Sequence, residues 1–213
     1  MRDKNDIDTC VAAGVDALGF LVGITHVAED KIDIHFARNL ISDISSPVLT
    51  VAVTHYTEVK EIVDICSYLN VSVVQIHADV SPEVVQSVRN ELSYLKIIKA
   101  FHVGENANVD FIKNYIDTID AILLDTRTKD RLGGTGITHD WNISRKIVEV
   151  FEGYRVILAG GLNSSNLSNA MGAVKPWGVD VNTGVETISG AKDPNKVKEF
   201  VEIAKNVMYP SMK

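Results

Sequence analysis

An α/β fold, a (β/α)8 TIM barrel whose first β-strand is missing from the chain, is what three features of the sequence predict. Apolar runs of strand length alternate with segments of helical periodicity along the whole chain, which is the rhythm of parallel strands joined by crossover helices. The runs are continuous and rich in Val, Ile and Leu, as in V-I-L-A-G-G from Val156 to Gly161, and this suits strands buried on both faces. The glycines gather in the last three units, whereas a doubly wound open sheet, the alternative architecture, carries its Gly-rich phosphate loop after the first strand. At 213 residues with 46% hydrophobic content, one core suffices, so a single domain over 1–213 is expected.

The elements follow in order. The opening M-R-D-K-N-D-I-D-T-C-V-A-A-G reads as a helix, with polar capping residues first, Ile7, Cys10 and Val11 on one face, and Gly14 at the stop. A strand follows at 17–22. Asp33 caps a helix with Ile34, Ala37, Leu40 and Ile41 inward; Leu49–Thr54 is a strand; Thr57 caps a helix with Val59, Ile62, Val63, Cys66 and Leu69 inward. Val71–Ala78 is the next strand, and Ser81-Pro82 is an N-cap followed by Pro at the first helical position. Ile97–Val103 is a strand, Val109, Ile112, Tyr115 and Ile116 mark a helix, and Ile119–Asp125 is a strand. Asp140 caps a helix carrying Ile143, Ile147, Val148 and Phe151; after V-I-L-A-G-G, Ser164 opens a helix through Met171; Val179–Val181 is the last strand. Asp193-Pro194 starts the final helix, with Val197, Phe200, Val201, Ala204 and Val207 inward. One helix and seven strand–helix units make an eightfold barrel lacking its first strand.

The charge narrows the partners. A net charge of −7, a pI near 5.3 and the lack of any Lys/Arg run argue against nucleic acid or an anionic membrane surface. No apolar segment reaches the roughly 18 residues of a membrane span and no signal peptide is evident, so a cytoplasmic protein is expected. Cys10 and Cys66 form neither a disulfide framework nor a metal pattern and sit on apolar helical faces, as packing cysteines do.

Chemistry is expected at the strand ends. Glycines at the carboxyl end of a buried strand let bare N–H groups approach a ligand. Gly160 and Gly161 do so after one strand, and G-V-D-V-N-T-G (178–184), with Asp180, Asn182, Thr183 and Gly184, repeats the design after the next. Two adjacent turns of this kind hold a phosphate in many barrels, with a short extra helix; the alternative is that the glycines serve only turns and helix packing. Asp125 ends the run A-I-L-L-D-T, where barrel enzymes keep catalytic carboxylates. Gln75 and His77, two apart in V-V-Q-I-H-A, share a strand face and are either groups of the barrel mouth or satisfied core polar residues. Lys99 either neutralises substrate or pairs with an interior carboxylate. Gly133, Gly134 and Gly136 in R-L-G-G-T-G form a loop suited to closing over a ligand.

The blocks I-K-A-F, I-L-L-D-T, G-G-T-G-x-T-H-D-W, V-I-L-A-G-G-L and G-V-D-V-N-T-G-V-E, in this order over essentially the whole chain, resemble the phosphoribosylanthranilate isomerases of tryptophan biosynthesis. The resemblance implies a (β/α)8 enzyme that converts N-(5'-phosphoribosyl)anthranilate to 1-(o-carboxyphenylamino)-1-deoxyribulose 5-phosphate by an Amadori rearrangement, with no metal and no organic cofactor. It makes Asp125 the general acid and gives the phosphate to the backbones near Gly134, Gly160, Gly161, Thr183 and Gly184. The phosphorylated small molecule is then the partner of a monomer or homodimer.

Two departures follow from the same resemblance. The family's base is a cysteine in K-I-C-G at the end of the first strand, and the spacing to Gly14 puts that motif immediately before Met1, so the chain as written is expected to be impaired. Where the family carries an arginine for the anthranilate carboxylate, this chain reads V-A-E-D-K-I-D; Lys31 is the candidate substitute, although it lacks the bidentate fork of arginine. The alternatives are another isomerase of a phosphorylated sugar, or a non-catalytic barrel that binds a phosphorylated sugar metabolite.

Overall fold

The computed structural model describes residues 1–24, 31–45, 47–104, 109–128, 131–132 and 140–208. Its contacts divide the chain into two compact units, Met1–Ala100 with Phe111–Asp120, and Phe101–Asp110 with Ala121–Lys213.

The first unit runs α1 (Lys4–Ala13), β1 (Ala17–Leu21), α2 (Ile34–Ser42), β2 (Leu49–Thr54), α3 (Val59–Leu69), β3 (Val73–Ile76), α4 (Pro82–Glu91) and the start of β4 (Lys96–Val103). Its strands are parallel and sequential, with Ala17 opposite Leu49, Val51 opposite Val73, and Val73 opposite Lys96. Period-2 alternation sends Val51, Val53 and Val73 to one face, where they form a buried cluster with Leu21 and Ile98 packed on it. The opposite face of the sheet is covered by the helices, whose stripes are Ala37 and Leu40 on α2, then Ile62, Ile65, Cys66 and Leu69 on α3. Asp3 caps α1 through Asp6 N–H and Gly14 ends it in the left-handed region (φ 80°). At the strand starts, Asp120 accepts from Ile97 N–H, Arg89 and Lys96; burial pushes its carboxyl up, but these donors hold it below the usual range.

The second unit contains the end of β4, α5 (Val109–Lys113) in part, β5 (Ala121–Thr128), β6 (Arg131–Leu132), α6 (Trp141–Val150), β7 (Val156–Leu158), α7 (Ser164–Val174), β8 (Gly178–Val179), the 3-10 turn η1 (Thr183–Val185) and α8 (Pro194–Met208). The sheet order there is β4-β5-β7-β8, with β5, β7 and β8 parallel and β6 folding back on β5 as an antiparallel ribbon. Among the described residues the strand order is β1-β2-β3-β4-β5-β7-β8, with β6 beside β5, and no strand precedes α1. Among the described residues no helix is long and apolar enough to cross a membrane.

Several boundaries differ from expectation. Glu58, not Thr57, is the N-cap of α3, and it makes no side-chain cap bond. Ser81 likewise caps α4 without one, its side chain meeting the Glu83 carboxylate instead. The third and last strands are shorter than their apolar runs, and α7 is capped at Asn163 by a reciprocal bond with Asn166 and continues to Val174. Tyr115 and Ile116 fall after α5. Val207 is exposed, since α8 runs past the surface it covers.

Candidate active site

Candidate groups stand at strand ends in each of the two units, and each unit is described by itself. In the first unit, β1 and β2 are tied by Val22 N–H to Val53 O (2.9 Å) and His55 N–H to Gly23 O (3.2 Å). Thr54 Oγ1 donates to Gly23 O (3.3 Å) and accepts from Tyr56 N–H (3.2 Å). Gly23 sits at φ +62°, and a Cβ there would meet the Tyr56 ring at 2.5 Å, a flexible side-chain end. Gln75, buried on β3, places Nε2 3.1 Å from His77 Nδ1, and the His77 ring stacks on His55 at 5.0 Å between centroids. Gln75 and His77 thus share the face of Val73, as expected for two residues of one period. Lys31 is exposed, and its Nζ donates to Ile24 O (3.2 Å).

Lys99 does not join this face. Ile98 packs on the Val51–Val53–Val73 cluster, so its neighbour Lys99 points the other way, where it is 2% exposed and its Nζ lies 5.9 Å from the Tyr115 ring centroid. Its ammonium donates to Ala100 O at 2.5 Å, and burial lowers its pKa to about 8 despite the opposing pull of Asp79. It is a helix-facing residue, and the expectation of an interior role is corrected.

In the second unit, Asp125 is buried (7% exposed) at the end of the parallel part of β5, and its Oδ1 accepts from Thr126 N–H at 2.8 Å. Gly160 lies against this pair with φ +83°. A Cβ built on it would overlap Thr126 Oγ1 and lie 2.5 Å from Thr126 N and 2.7 Å from Asp125 Oδ1. The missing side chain is what lets the end of β7 approach the carboxylate. Gly161 is also left-handed (φ 68°), and its carbonyl accepts from Asn166 Nδ2 (2.9 Å), which anchors the turn to the first turn of α7.

The turn after β8 is fixed in the same manner. Asp180 N–H donates to Leu158 O (2.9 Å), so Asp180, exposed, stands at the strand end beside β7. Thr183 and Gly184 open η1, the short extra helix expected after the last strand. A Cβ on Gly184 would overlap the Leu162 carbonyl oxygen and sit 3.2 Å from Asn163 Cα, so the β7–α7 and β8–η1 turns touch backbone to backbone. N–H groups at a helix start have no acceptor further back in the helix; in α7 Asn163 accepts those of Ser165 and Asn166, and η1 starts beside this turn. Behind these turns lies a group that sequence reasoning missed: Lys192, 6% exposed, with Nζ 2.6 Å from Asn182 Oδ1, 3.0 Å from Asn182 O and 2.8 Å from Glu186 Oε1.

Gly134 and Gly136, with Gly133, lie outside the described residues. Cys10 and Cys66 are buried in α1 and α3, and burial pushes the Cys66 thiol up to about 12; both are packing residues, as expected.

Comparison with known proteins converges on one family. Residues 1–203 match the family model described as N-(5'phosphoribosyl)anthranilate (PRA) isomerase. A Methanosarcina mazei protein named N-(5'-phosphoribosyl)anthranilate isomerase 2 is 38% identical over 206 residues, 95% of this chain and 91% of its own. The crystal structure of phosphoribosyl anthranilate isomerase from Thermotoga maritima superposes with a TM-score of 0.83 at 30% identity, covering 97% of this chain and 96% of that one. A structure of such an isomerase in complex with reduced 1-(o-carboxyphenylamino)-1-deoxyribulose 5-phosphate superposes with a TM-score of 0.80 at 29% identity, over 97% and 95% of the two chains.

Proposed function

Because this chain belongs to the N-(5'-phosphoribosyl)anthranilate isomerase family, we propose that it rearranges N-(5'-phosphoribosyl)anthranilate to 1-(o-carboxyphenylamino)-1-deoxyribulose 5-phosphate in tryptophan biosynthesis. The observation that carries the assignment of roles is the seating of Asp125 at the end of β5, beside the glycine turn of β7. Asp125 is the general acid. Its proton goes to the ring oxygen as the C1'–O bond breaks, with the anthranilate nitrogen lone pair forming the C=N bond; a base then takes the C2' proton, and the resulting enolamine tautomerises to the ketone.

The phosphate belongs to the turns holding Gly160, Gly161, Asn182, Thr183 and Gly184, with Asp180 beside them. Gln75 and His77 border the substrate, and Lys31 receives the anthranilate carboxylate. Neither cysteine of residues 1–213 is the base, since Cys10 and Cys66 are both buried in helices and a thiol near 12 does not yield a thiolate at neutral pH. The same reading takes residues 1–213 as one domain of a cytoplasmic monomer or homodimer, working without metal, cofactor or nucleic acid.

The test is direct. Preceded by V-K-I-C-G, the chain is expected to consume the fluorescent anthranilate substrate, and Asp125→Asn in that form to lower kcat by at least ~10²-fold with KM nearly unchanged. Near-normal turnover by the variant removes Asp125 from the mechanism. Phosphate binding without any isomerisation favours a barrel of altered specificity, the reading to which Lys31 in place of an arginine points.

A further inference from the structure

Resting on the phosphate site just described, we propose that Lys192 is a positioning residue for that site: its buried ammonium, held between Asn182 and Glu186, orients the N–H groups of the β8–η1 turn.

Lys192 reaches two oxygens of one residue. Its Nζ lies 2.6 Å from Asn182 Oδ1 and 3.0 Å from Asn182 O, and the third partner is Glu186 Oε1 at 2.8 Å. The side chain of Lys192 is 3% exposed and that of Glu186 14%. A buried ammonium is costly unless its donors are matched, and here three oxygens meet them. The backbone around it is equally determined. Glu186 pairs with Lys192 in an antiparallel bridge, Asp193 N–H donates to Val185 O (2.9 Å), Thr187 N–H to Ala191 O (2.8 Å), and Lys196 Nζ to Glu186 O (2.7 Å).

The consequence passes through one peptide plane. The carbonyl of Asn182 and the N–H of Thr183 belong to the same planar trans unit, so they point in opposite directions. Fixing the carbonyl on Nζ turns the Thr183 N–H away from Lys192. Because Glu186 neutralises the ammonium, Lys192 acts by placing donors and not by offering its charge to the phosphate.

The experiment is calorimetric titration of the folded chain with inorganic phosphate, which needs no turnover. Lys192→Met is expected to weaken phosphate binding at least ~10-fold, measured well below its melting temperature, whereas Glu186→Gln, whose amide oxygen still accepts from the ammonium, stays within about 2-fold. Turnover in the form preceded by V-K-I-C-G is expected to show a raised KM with kcat little changed. Wild-type affinity in Lys192→Met, with only its melting temperature lowered, makes Lys192 a structural staple and overturns the proposal while leaving the phosphate site standing. Tighter binding in Glu186→Gln together with a loss in Lys192→Met makes the charge of the ammonium the agent and overturns it also. If Lys192→Met does not fold, Lys192→Gln keeps one donor for Asn182; an intermediate loss supports the proposal and undiminished affinity refutes it. A wild-type chain that binds no phosphate removes both the site and the proposal.

Discussion

The strand ends of the first unit are arranged by side chains, and those of the second by backbone. In the first, a layer of Val51, Val53 and Val73 sets the spacing beneath Gln75 and His77, and the tight glycine, Gly23, faces the movable ring of Tyr56. In the second, Gly160 and Gly184 press against main-chain atoms of Thr126, Leu162 and Asn163, and a buried lysine binds a main-chain carbonyl. The difference matches the tasks. An apolar layer tolerates repacking because volume can be redistributed, which suits the part proposed to border the anthranilate group. Backbone donors cannot be repacked, and their geometry is what a phosphate requires.

The largest effect expected from this contrast comes from a methyl group. Gly184→Ala puts a Cβ onto the Leu162 carbonyl oxygen, and only a backbone shift relieves it, at a cost of ~3 kcal/mol, or about 6–12 °C in Tm for a chain of this size. Phosphate affinity falls with it. The matched substitution in the first unit is Gly19→Ala, whose Cβ meets Val53 Cγ2 at 3.4 Å, an ordinary contact; its melting curve is expected within about 2–4 °C of wild type. Equal melting of the two variants would erase the distinction between the units.

A smaller effect comes from the apolar layer. Val53→Ala deletes two methyl groups from a buried site and is expected to cost about 2 kcal/mol. Phosphate binding by calorimetry is expected to stay at the wild-type value, because the turns of β7 and β8 are held by backbone contacts of their own unit. A parallel loss of phosphate affinity would show that the layer also shapes the phosphate turns.

The order of the elements was readable because helices and strands differ in hydrophobic period, and so was the place of Asp125, since a carboxylate at the end of an apolar run needs a reason to be there. The face on which Lys99 lies was not readable. I-I-K-A-F is apolar on both sides of the lysine, and a strand buried on two faces leaves no alternation to choose between them. Gly160 was read as an approach to ligand, while its missing side chain also makes room for Asp125 and Thr126, a neighbour distant in sequence. Lys192 was hidden for a further reason. In S-G-A-K-D-P it looks like any lysine before a helix cap, and lysines are rarely buried; its partner Asn182 is ten residues away across a turn that only the folded chain closes.

The smallest effect is one of pH, and it concerns the buried lysine that the mechanism leaves unused. Burial holds Lys99 at about 8 in the folded chain, against an ordinary 10.5. Below pH 8 both states carry the proton, and the folded state bears the cost of a buried ammonium. Between about 8 and 10.5 the unfolded state binds more protons than the folded one, so stability rises with pH. Cys66 works in the opposite sense, because its thiol is raised from 9.0 to about 12, and it subtracts stability once pH passes 9. The contribution of Lys99 therefore shows in the difference between wild type and Lys99→Met, in which Cys66 is common to both. From pH 8 to 9 that difference is expected to change by about 1 kcal/mol in favour of wild type, or about 2–4 °C in Tm, while Lys99→Met is the more stable of the two at pH 7 because it has no buried charge to carry. Parallel melting curves across this range would mean that Lys99 keeps its ordinary affinity for the proton, and that the helix-facing side of β4 is wetter than its 2% exposure implies.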